Sequence, residues 1–253
     1  MSPAVGDRPV VFDVTDSNGV VHIVVLLSRD LADQCLHVQV RGRDRLLISR
    51  HAVRLDGAEL VVAVPNDEAG ALQVFPCDDL PGAAGAFMTL CADLACIEAP
   101  GVDVELLQVN ATPPALRWGP RVAWREKSTP LAPPDAAYAA ATRLRLKIPP
   151  GVPCDRGRVL LTLDYVGDAA RLYADGQLVD DHFYDGEPWA IGIDRFVRGG
   201  VWPQFELAIL AADPDLPIFL EPAARARQRE VSSPTLLHAR LRWWRDWRVG
   251  LGA

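Results

Sequence analysis

Apolar and polar residues alternate along much of this chain with the two-residue period of a half-buried β-strand. The alternation is regular in 36–41, 143–148 and 159–165, where at least every second side chain is apolar. In the first 76 residues, turn residues separate such runs about every ten positions. This spacing is typical of antiparallel sheets and predicts an all-β protein.

Two turn sequences predict β-hairpins. A cluster of turn residues ending in Asn18-Gly19 separates the apolar runs 10–14 and 20–27. Asp175-Gly176 follows the run 169–174, and a two-residue Asp-Gly loop favours a type I′ turn. In the second half of the chain we expect further strands at 102–109, 177–179, 205–210 and 218–220.

Two stretches interrupt the strand pattern. Residues 77–100 are rich in small side chains without clear periodicity and predict a loop or a domain junction. Residues 110–134, called the strap below, are rich in proline and contain Trp118 and Trp124. Because two tryptophans favour burial, we expect the strap to lie across a sandwich. Asp135 is then placed to cap a short helix through Ala141.

The C-terminal tail, residues 223–253, has a composition of its own. Its seven arginines are accompanied by only two acidic residues. Leu237, Leu241 and Trp244 fall at positions i, i+4 and i+7, which predicts a basic amphipathic helix. We expect this stripe to pack on the sandwich or on another copy. Contact with an acidic membrane or nucleic acid, and a disordered extension, are the alternatives.

Composition and charge limit the function classes. The chain has 253 residues, 49% of them hydrophobic, which is enough for one large domain or two small ones with a sizeable core. Its net charge of −7 excludes nucleic-acid binding by the molecule as a whole. The 19 glycines and 21 prolines interrupt long helices and favour short strands joined by turns.

Two further features concern membranes and targeting. The longest apolar run, 20–27, is far shorter than the roughly 20 residues of a membrane-spanning helix. The segment 1–8 lacks the apolar stretch of a secretory signal. We therefore expect a cytoplasmic protein without a membrane partner. A periplasmic parent that has lost its leader is the alternative.

No motif for metal, nucleotide or triad chemistry occurs in the sequence. The five cysteines contain no Cys-x-x-Cys pair, and an odd number leaves at least one thiol unpaired within the chain. The five histidines form no His-Glu-x-x-His pattern, and no Gly-x-Ser-x-Gly elbow or Walker loop is present. We expect buried or idle thiols and no cofactor, apart from the calcium discussed below.

The segment 161–196 resembles a known family. With Leu172-Tyr-Ala-Asp-Gly-Gln-Leu and Glu187-Pro-Trp-Ala-Ile-Gly, it is similar to the C-terminal β-sandwich of glycoside hydrolase family 35 β-galactosidases. The likeness extends more loosely over about residues 10–220. Further segments that carry it are 22–27, 45–49, 56–60, 72–76, 207–210 and 217–220.

The resemblance implies an accessory module and not the catalytic part. In that family the chemistry lies in an N-terminal (β/α)₈ barrel that carries two glutamates. Such a barrel takes about 250 residues by itself, and this chain shows no alternation of strands and helices. No catalytic residue is therefore carried over. The chain resembles a fragment or a separately encoded partner of a β-galactosidase.

Pattern and resemblance together give one architecture. We predict an all-β protein of two β-sandwich units, jelly-roll-like and of the galactose-binding type, with a short irregular strap and a C-terminal helix. The expected N-terminal β-sandwich unit is 9–100, and the expected jelly-roll domain is 101–222. The basic, Trp-rich tail is 223–253.

The candidate binding residues lie in an acidic cluster interleaved with aromatic side chains, between 173 and 194. Aromatic faces pack on the C–H face of a sugar while carboxylates accept hydroxyl hydrogen bonds. Turn-forming aspartates beside core aromatics would give the same pattern, and the oxygens of 180–187 would also suit calcium. The predicted carbohydrate-binding residues are Tyr173, Asp181, Tyr184, Asp185, Glu187 and Trp189.

Three functions follow as hypotheses. The first is a non-catalytic module that binds a β-galactoside or a related sugar. The second is a glycoside hydrolase with Asp185 and Glu187 as its acid pair, since that chemistry needs two carboxyl groups. The third is a structural partner of a barrel-containing glycosidase subunit, with self-association through the tail as a further option.

Overall fold

The computed structural model describes residues 8–99, 101–124, 128–154 and 158–251. Strands account for 45% of the structure and helices for 9%, which confirms the predicted all-β class. The chain divides into two compact units. Unit 1 comprises the described residues up to Glu98 together with those from Trp244 onward, and unit 2 runs from Ala99 to Trp243. Residues 1–7, which form most of the segment on which the targeting prediction rests, lie outside the described residues.

Unit 1 is built from antiparallel strands and one short helix. In chain order these are β1 Val10–Thr15, β2 Val21–Leu26, α1 Arg29–Ala32, β3 Cys35–Val40, β4 Arg43–Ile48, β5 Ala52–Asp56, β6 Glu59–Pro65, β7 Ala71–Phe75 and β8 Met88–Cys91. Strands β3, β4, β7 and β8 form one sheet, while β1 and β2 pair as a separate hairpin. The strand β8 lies within 77–100, so the predicted loop is interrupted there.

Unit 2 contains the remaining elements. They are β9 Asp103–Gln108, β10 Thr142–Lys147, β11 Val159–Val166, β12 Ala169–Ala174, β13 Gln177–Phe183, β14 Trp189–Gly192, β15 Phe205–Ile209, α2 Pro222–Glu230 and β16 Thr235–Gly250. Short 3₁₀ helices cover Asp135–Ala140 and Asp194–Phe196. The last strand, β16, begins in unit 2 and ends in unit 1.

Each unit buries its core between two sheets. In unit 1, Leu60, Val62 and Val64 of β6 pack in one buried cluster with Leu47 and Leu72 of the four-stranded sheet. Strand β6 pairs with β5 on one side and with the end of β16 on the other. Burial alternates along β7, because successive side chains point to opposite faces of a sheet. The first unit is therefore a β-sandwich.

Unit 2 packs a five-stranded sheet against a three-stranded one. The larger sheet has the order β13-β12-β15-β10-β9, and in the smaller one β11 lies between β14 and the first part of β16. Leu161, Leu163 and Leu241 of the smaller sheet share a buried cluster with Leu172 and Leu207 of the larger one. The five-stranded sheet and the three-stranded sheet therefore pack face to face as the predicted β-sandwich. Over the described ranges, no helix is long and apolar enough to cross a membrane.

Both predicted hairpins are present. The carboxylate of Asp16 accepts hydrogen bonds from the amides of Asn18 at 2.8 Å and Val20 at 2.9 Å, which closes the turn between β1 and β2. Asp175 and Gly176 have φ angles of 49° and 78°, so both occupy the left-handed region that a type I′ turn requires. Local turn chemistry thus determines both connections.

The helix predicted in the tail is wrong in its position. A helix is present near the C-terminus, but it covers Pro222–Glu230. The segment with Leu237, Leu241 and Trp244 belongs to the 16-residue strand β16. Its apolar residues also follow a two-residue period, and Leu241 and Trp243 are buried in the core of unit 2. Of the predicted stripe, Leu241 lies in this core, whereas Leu237 is 41% exposed and Trp244 is half-buried, so the face that packs on the sandwich is that of a strand and not the helical stripe.

Two smaller predictions also need correction. The short helix at 135–140 exists, but Pro134 occupies its N-cap position and the Asp135 carboxylate accepts a hydrogen bond from Arg171 at 2.7 Å. The strand expected at 218–220 does not form, and this stretch is irregular. Pro217 lacks the amide proton that strand pairing would use. The irregular stretch contributes Ile218 and Phe219 to the lining of a surface cleft.

Candidate functional site

Two of the predicted sugar-binding aromatics are core residues. Tyr184 and Trp189 are buried in the unit 2 cluster, and both rings pack against Tyr165 with centroid distances of 5.7 and 6.5 Å. Burial raises the pKa of Tyr184, and its hydroxyl has no hydrogen-bond partner in the described parts of the chain. A sugar at the surface has no access to these two ring faces.

Tyr173 and Asp181 lie on the other face of the five-stranded sheet. Tyr173 neighbours the core residue Leu172 on β12, so it points away from the core. The Arg143 guanidinium lies 5.5 Å from the centre of the Tyr173 ring. Asp181 is exposed on β13, opposite Arg171. The structure therefore does not bring these residues together with Trp189.

The acidic residues of the cluster serve turns and ion pairs. Asp185 accepts a hydrogen bond from the Glu187 amide at 2.9 Å, and both side chains are exposed. Asp175 accepts one from the Gln204 amide at 2.9 Å, and Asp180 pairs with Arg195 at 3.2 Å. These contacts favour the turn interpretation of the cluster. Among the described residues, no group of three or more His, Cys, Asp or Glu side chains is placed to hold a metal ion, calcium included.

His182 occupies a central place that the sequence did not indicate. Its ring stacks on Trp189 at 5.4 Å between centroids and 12° between planes. The Tyr165 hydroxyl lies 3.0 Å from Nδ1 of His182, and Nε2 lies 4.0 Å from a carboxylate oxygen of Asp185. Because Tyr165 is fully buried, this chain of groups offers no accessible nucleophile. The contacts with Tyr165 and Trp189 hold the end of β13 against the core of unit 2.

An accessible concavity of unit 2 lies elsewhere, between the strap and the loop after β15. The strap folds back on itself, because the amide of Gly119 donates to the carbonyl of Thr129 at 2.8 Å and that of Leu131 to Arg117 at 2.9 Å. Residues 211–219 form the opposite wall. The space between them is about 780 Å³, and we call it the strap cleft.

Three aromatic side chains of the strap cleft are exposed to solvent. Trp124 of the strap is 80% exposed, Phe219 of the opposite wall is 88% exposed and Phe183 at the end of β13 is 59% exposed. The expectation that the strap tryptophans are buried is therefore wrong, since Trp118 is also half exposed. Large exposed aromatics around one concavity are unusual for a surface without a ligand.

A carboxyl group lies deeper in the strap cleft. Asp168 follows β11, and its backbone is fixed because its amide donates to the Leu210 carbonyl and its carbonyl accepts from the Tyr184 amide, both at 2.9 Å. Its side chain has no hydrogen-bond partner among the described residues. Burial raises the pKa of Asp168 above the usual range of a carboxyl group. The strap cleft thus has a partly buried hydrogen-bond acceptor, Asp168, in its interior and exposed aromatic rings at its edge.

The loop that forms the second wall is held by α2. Arg225 donates from its guanidinium to the carbonyl of Pro214 at 2.8 Å and to that of Ile218. Arg229 adds an exposed ion pair with Asp215 at 3.2 Å. Bonds from one half-buried guanidinium to two carbonyls fix both ends of the segment 214–218. Arg225 is therefore the positioning residue of this wall.

Arg225→Ala is expected to loosen the second wall. Two charge-assisted bonds are lost, so the amides of Leu216 and Ile218 should exchange their hydrogens at least about tenfold faster. Hydrogen exchange followed by mass spectrometry measures this change. In the control Arg229→Ala only an exposed ion pair is removed, and the effect should be much smaller. Unchanged exchange in Arg225→Ala would show that the wall is held by other contacts.

Comparisons with known proteins give no family assignment. Neither the models of protein families nor the curated proteins match this chain. The candidate function therefore depends on the geometry of unit 2.

Proposed function

We propose that unit 2 is a non-catalytic carbohydrate-binding β-sandwich, an accessory module related to β-galactosidases, whose ligand occupies the strap cleft. The observation that supports this most strongly is the combination of Trp124, Phe183 and Phe219 as exposed rings with Asp168 as a deeper carboxyl group. Aromatic rings pack on the C–H face of a sugar, and a carboxylate accepts hydrogen bonds from its hydroxyls. The cleft provides both types of contact.

The size and the other polar groups of the strap cleft also fit a small glycoside. Its volume of about 780 Å³ lies within the range of sites for small organic ligands. Arg117 and Ser128 can donate hydrogen bonds, and Asp213 can accept them. A hexose presents hydroxyls that act in both directions, so mixed donors and acceptors are what it needs.

The proposed role is binding without hydrolysis. The acid pair predicted from the sequence, Asp185 and Glu187, is exposed and joined through a turn. One observation favours hydrolysis as a second candidate: burial raises the pKa of Asp168, the direction that a general acid needs, and Asp213 lines the same cleft. A glycosidase in this cleft would therefore use these two residues.

One experiment separates the candidates. The purified chain is titrated with galactose and methyl β-galactoside by calorimetry, and its hydrolysis of a chromogenic β-galactoside is measured in parallel. We expect binding without turnover, unchanged by EDTA because the proposed site needs no cofactor. Turnover that is lost in Asp168→Asn would establish the hydrolase instead. Absence of binding to both sugars would reject the proposal and leave the structural role.

Asp168→Asn is expected to weaken sugar binding at least about tenfold at neutral pH, since it removes a charged acceptor. Sugar hydroxyls donate to the ionised carboxylate, so the affinity of the native chain should fall as the pH decreases through the raised pKa of Asp168. The variant should show no such dependence. Calorimetric titrations over a pH series measure both effects.

Asp181→Asn is the matched control, because Asp181 is an exposed acid on the outer sheet face and was itself predicted to bind sugar. It should bind like the native chain. Loss of affinity in Asp181→Asn, with normal binding by Asp168→Asn, would place the sugar on the sheet face and remove it from the strap cleft.

A further inference from the structure

We infer that the strap cleft selects glycosides with an apolar aglycone over free sugars. This inference rests on the proposed function and extends it to the class of ligand. It follows from the order in which polar and apolar groups occur between the interior of the cleft and its mouth, and from the chemistry of its walls.

Polarity changes along the depth of the strap cleft. Asp168 lies at its half-buried end, fixed through the turn between β11 and β12. Trp124 and Phe219 are 80% and 88% exposed and therefore mark its mouth. A ligand that satisfies both ends carries hydroxyl groups at one end and an apolar group at the other. A glycoside with an alkyl or aryl aglycone carries these two groups at opposite ends, whereas a free hexose carries hydroxyl groups on every side of its ring.

Apart from Arg117 and Ser128, the walls between these ends offer few hydrogen-bond donors. Five prolines contribute to them, and proline has no amide proton. The remaining wall residues are mainly aliphatic, so the hydroxyls of a second sugar ring would lose water there without compensation. An apolar aglycone has no such cost. The prolines are Pro113, Pro114, Pro130, Pro133 and Pro217.

The affinity that an apolar aglycone should add is large enough to measure. An aglycone that covers about 50 Å² of apolar surface at the mouth corresponds to roughly tenfold tighter binding. The gain should depend on the rings of Trp124 and Phe219, because these are the two most exposed rings that line the strap cleft. It should not depend on Asp168, which contacts the sugar.

The test compares methyl β-galactoside with phenyl and octyl β-galactoside by calorimetry. We expect the phenyl and octyl glycosides to bind at least about tenfold more tightly. Trp124→Ala and Phe219→Ala should reduce this ratio, while Asp168→Asn should lower all affinities and preserve it. Trp118→Ala is the matched control, because Trp118 lies on the same strap outside the cleft lining and should leave all affinities unchanged.

Each result decides a different point. Equal affinities for the methyl and phenyl glycosides would overturn the aglycone inference while the proposed sugar site stands. Failure of all the glycosides to bind would reject the proposed function itself. Octanol or phenol binding as tightly as the corresponding glycoside would overturn both, since the cleft would then be a site for apolar molecules without a sugar.

Discussion

Replacing Trp243 by alanine is expected to lower the unfolding free energy of unit 2 by about 3–5 kcal/mol. Trp243 lies on β16 opposite Val159 and is only 4% exposed, in the cluster that joins the two sheets of this unit. Removal of a fully packed indole loses its burial and leaves a cavity that rigid sheets fill poorly. The unfolding temperature should fall by on the order of 10 °C.

Far-UV circular dichroism during urea or thermal unfolding measures this effect without relying on tryptophan emission. Trp124→Ala is the matched control, since the same side chain is 80% exposed there and its loss should change stability by at most about 0.5 kcal/mol. Equal effects of the two substitutions would mean that β16 does not contribute its tryptophan to the core of unit 2.

This pair of tryptophans shows where sequence reasoning succeeds and fails. The residue type alone favours burial, and so we expected Trp118 and Trp124 to be buried. Whether an indole reaches a core depends on the sheets around it, and the strap belongs to neither sheet of the sandwich. In contrast, Trp243 is buried because β11, far away in sequence, pairs with its strand.

The tail gives a second case. Leu237, Leu241 and Trp244 fit a helical period, while Leu241 and Trp243 fit the period of a strand. In a segment rich in both apolar and basic residues, the two periods overlap, and local pattern cannot decide between them. The decision comes from β11 and β6, which pair with successive parts of β16. Such long-range pairing overrides local propensity.

Features determined by neighbouring residues were predicted well. The strand β11 shows the expected alternation of burial, and the Asp175-Gly176 turn has the expected positive φ angles. The strap cleft could not be found in this way. Its lining comes from the strap, the turn at Asp168, the end of β13 and the loop 211–219, which only tertiary structure brings together. The exposed Phe219 lies where we had predicted a strand.

The turn that carries Asp168 depends on the absence of a side chain at Gly167. A Cβ atom there would lie 2.5 Å from a methyl group of Ile209 and 2.8 Å from the backbone oxygen of Leu210. That oxygen accepts the hydrogen bond from the Asp168 amide, so it cannot move without breaking the turn. Gly167→Ala is therefore expected to cost about 3 kcal/mol or more, at or above the upper end of ordinary overpacking.

Gly101→Ala provides the matched control, because a Cβ atom at Gly101 meets nothing within 4 Å and its φ is not in the left-handed region. Its stability should stay within about 1 kcal/mol of the native value. Urea unfolding measures both variants. Folded Gly167→Ala protein, titrated with methyl β-galactoside by calorimetry, should also bind more weakly than the native chain, because the displaced turn moves the Asp168 carboxylate. Native stability and native affinity in Gly167→Ala would show that this turn has room for a side chain and does not fix the interior of the strap cleft.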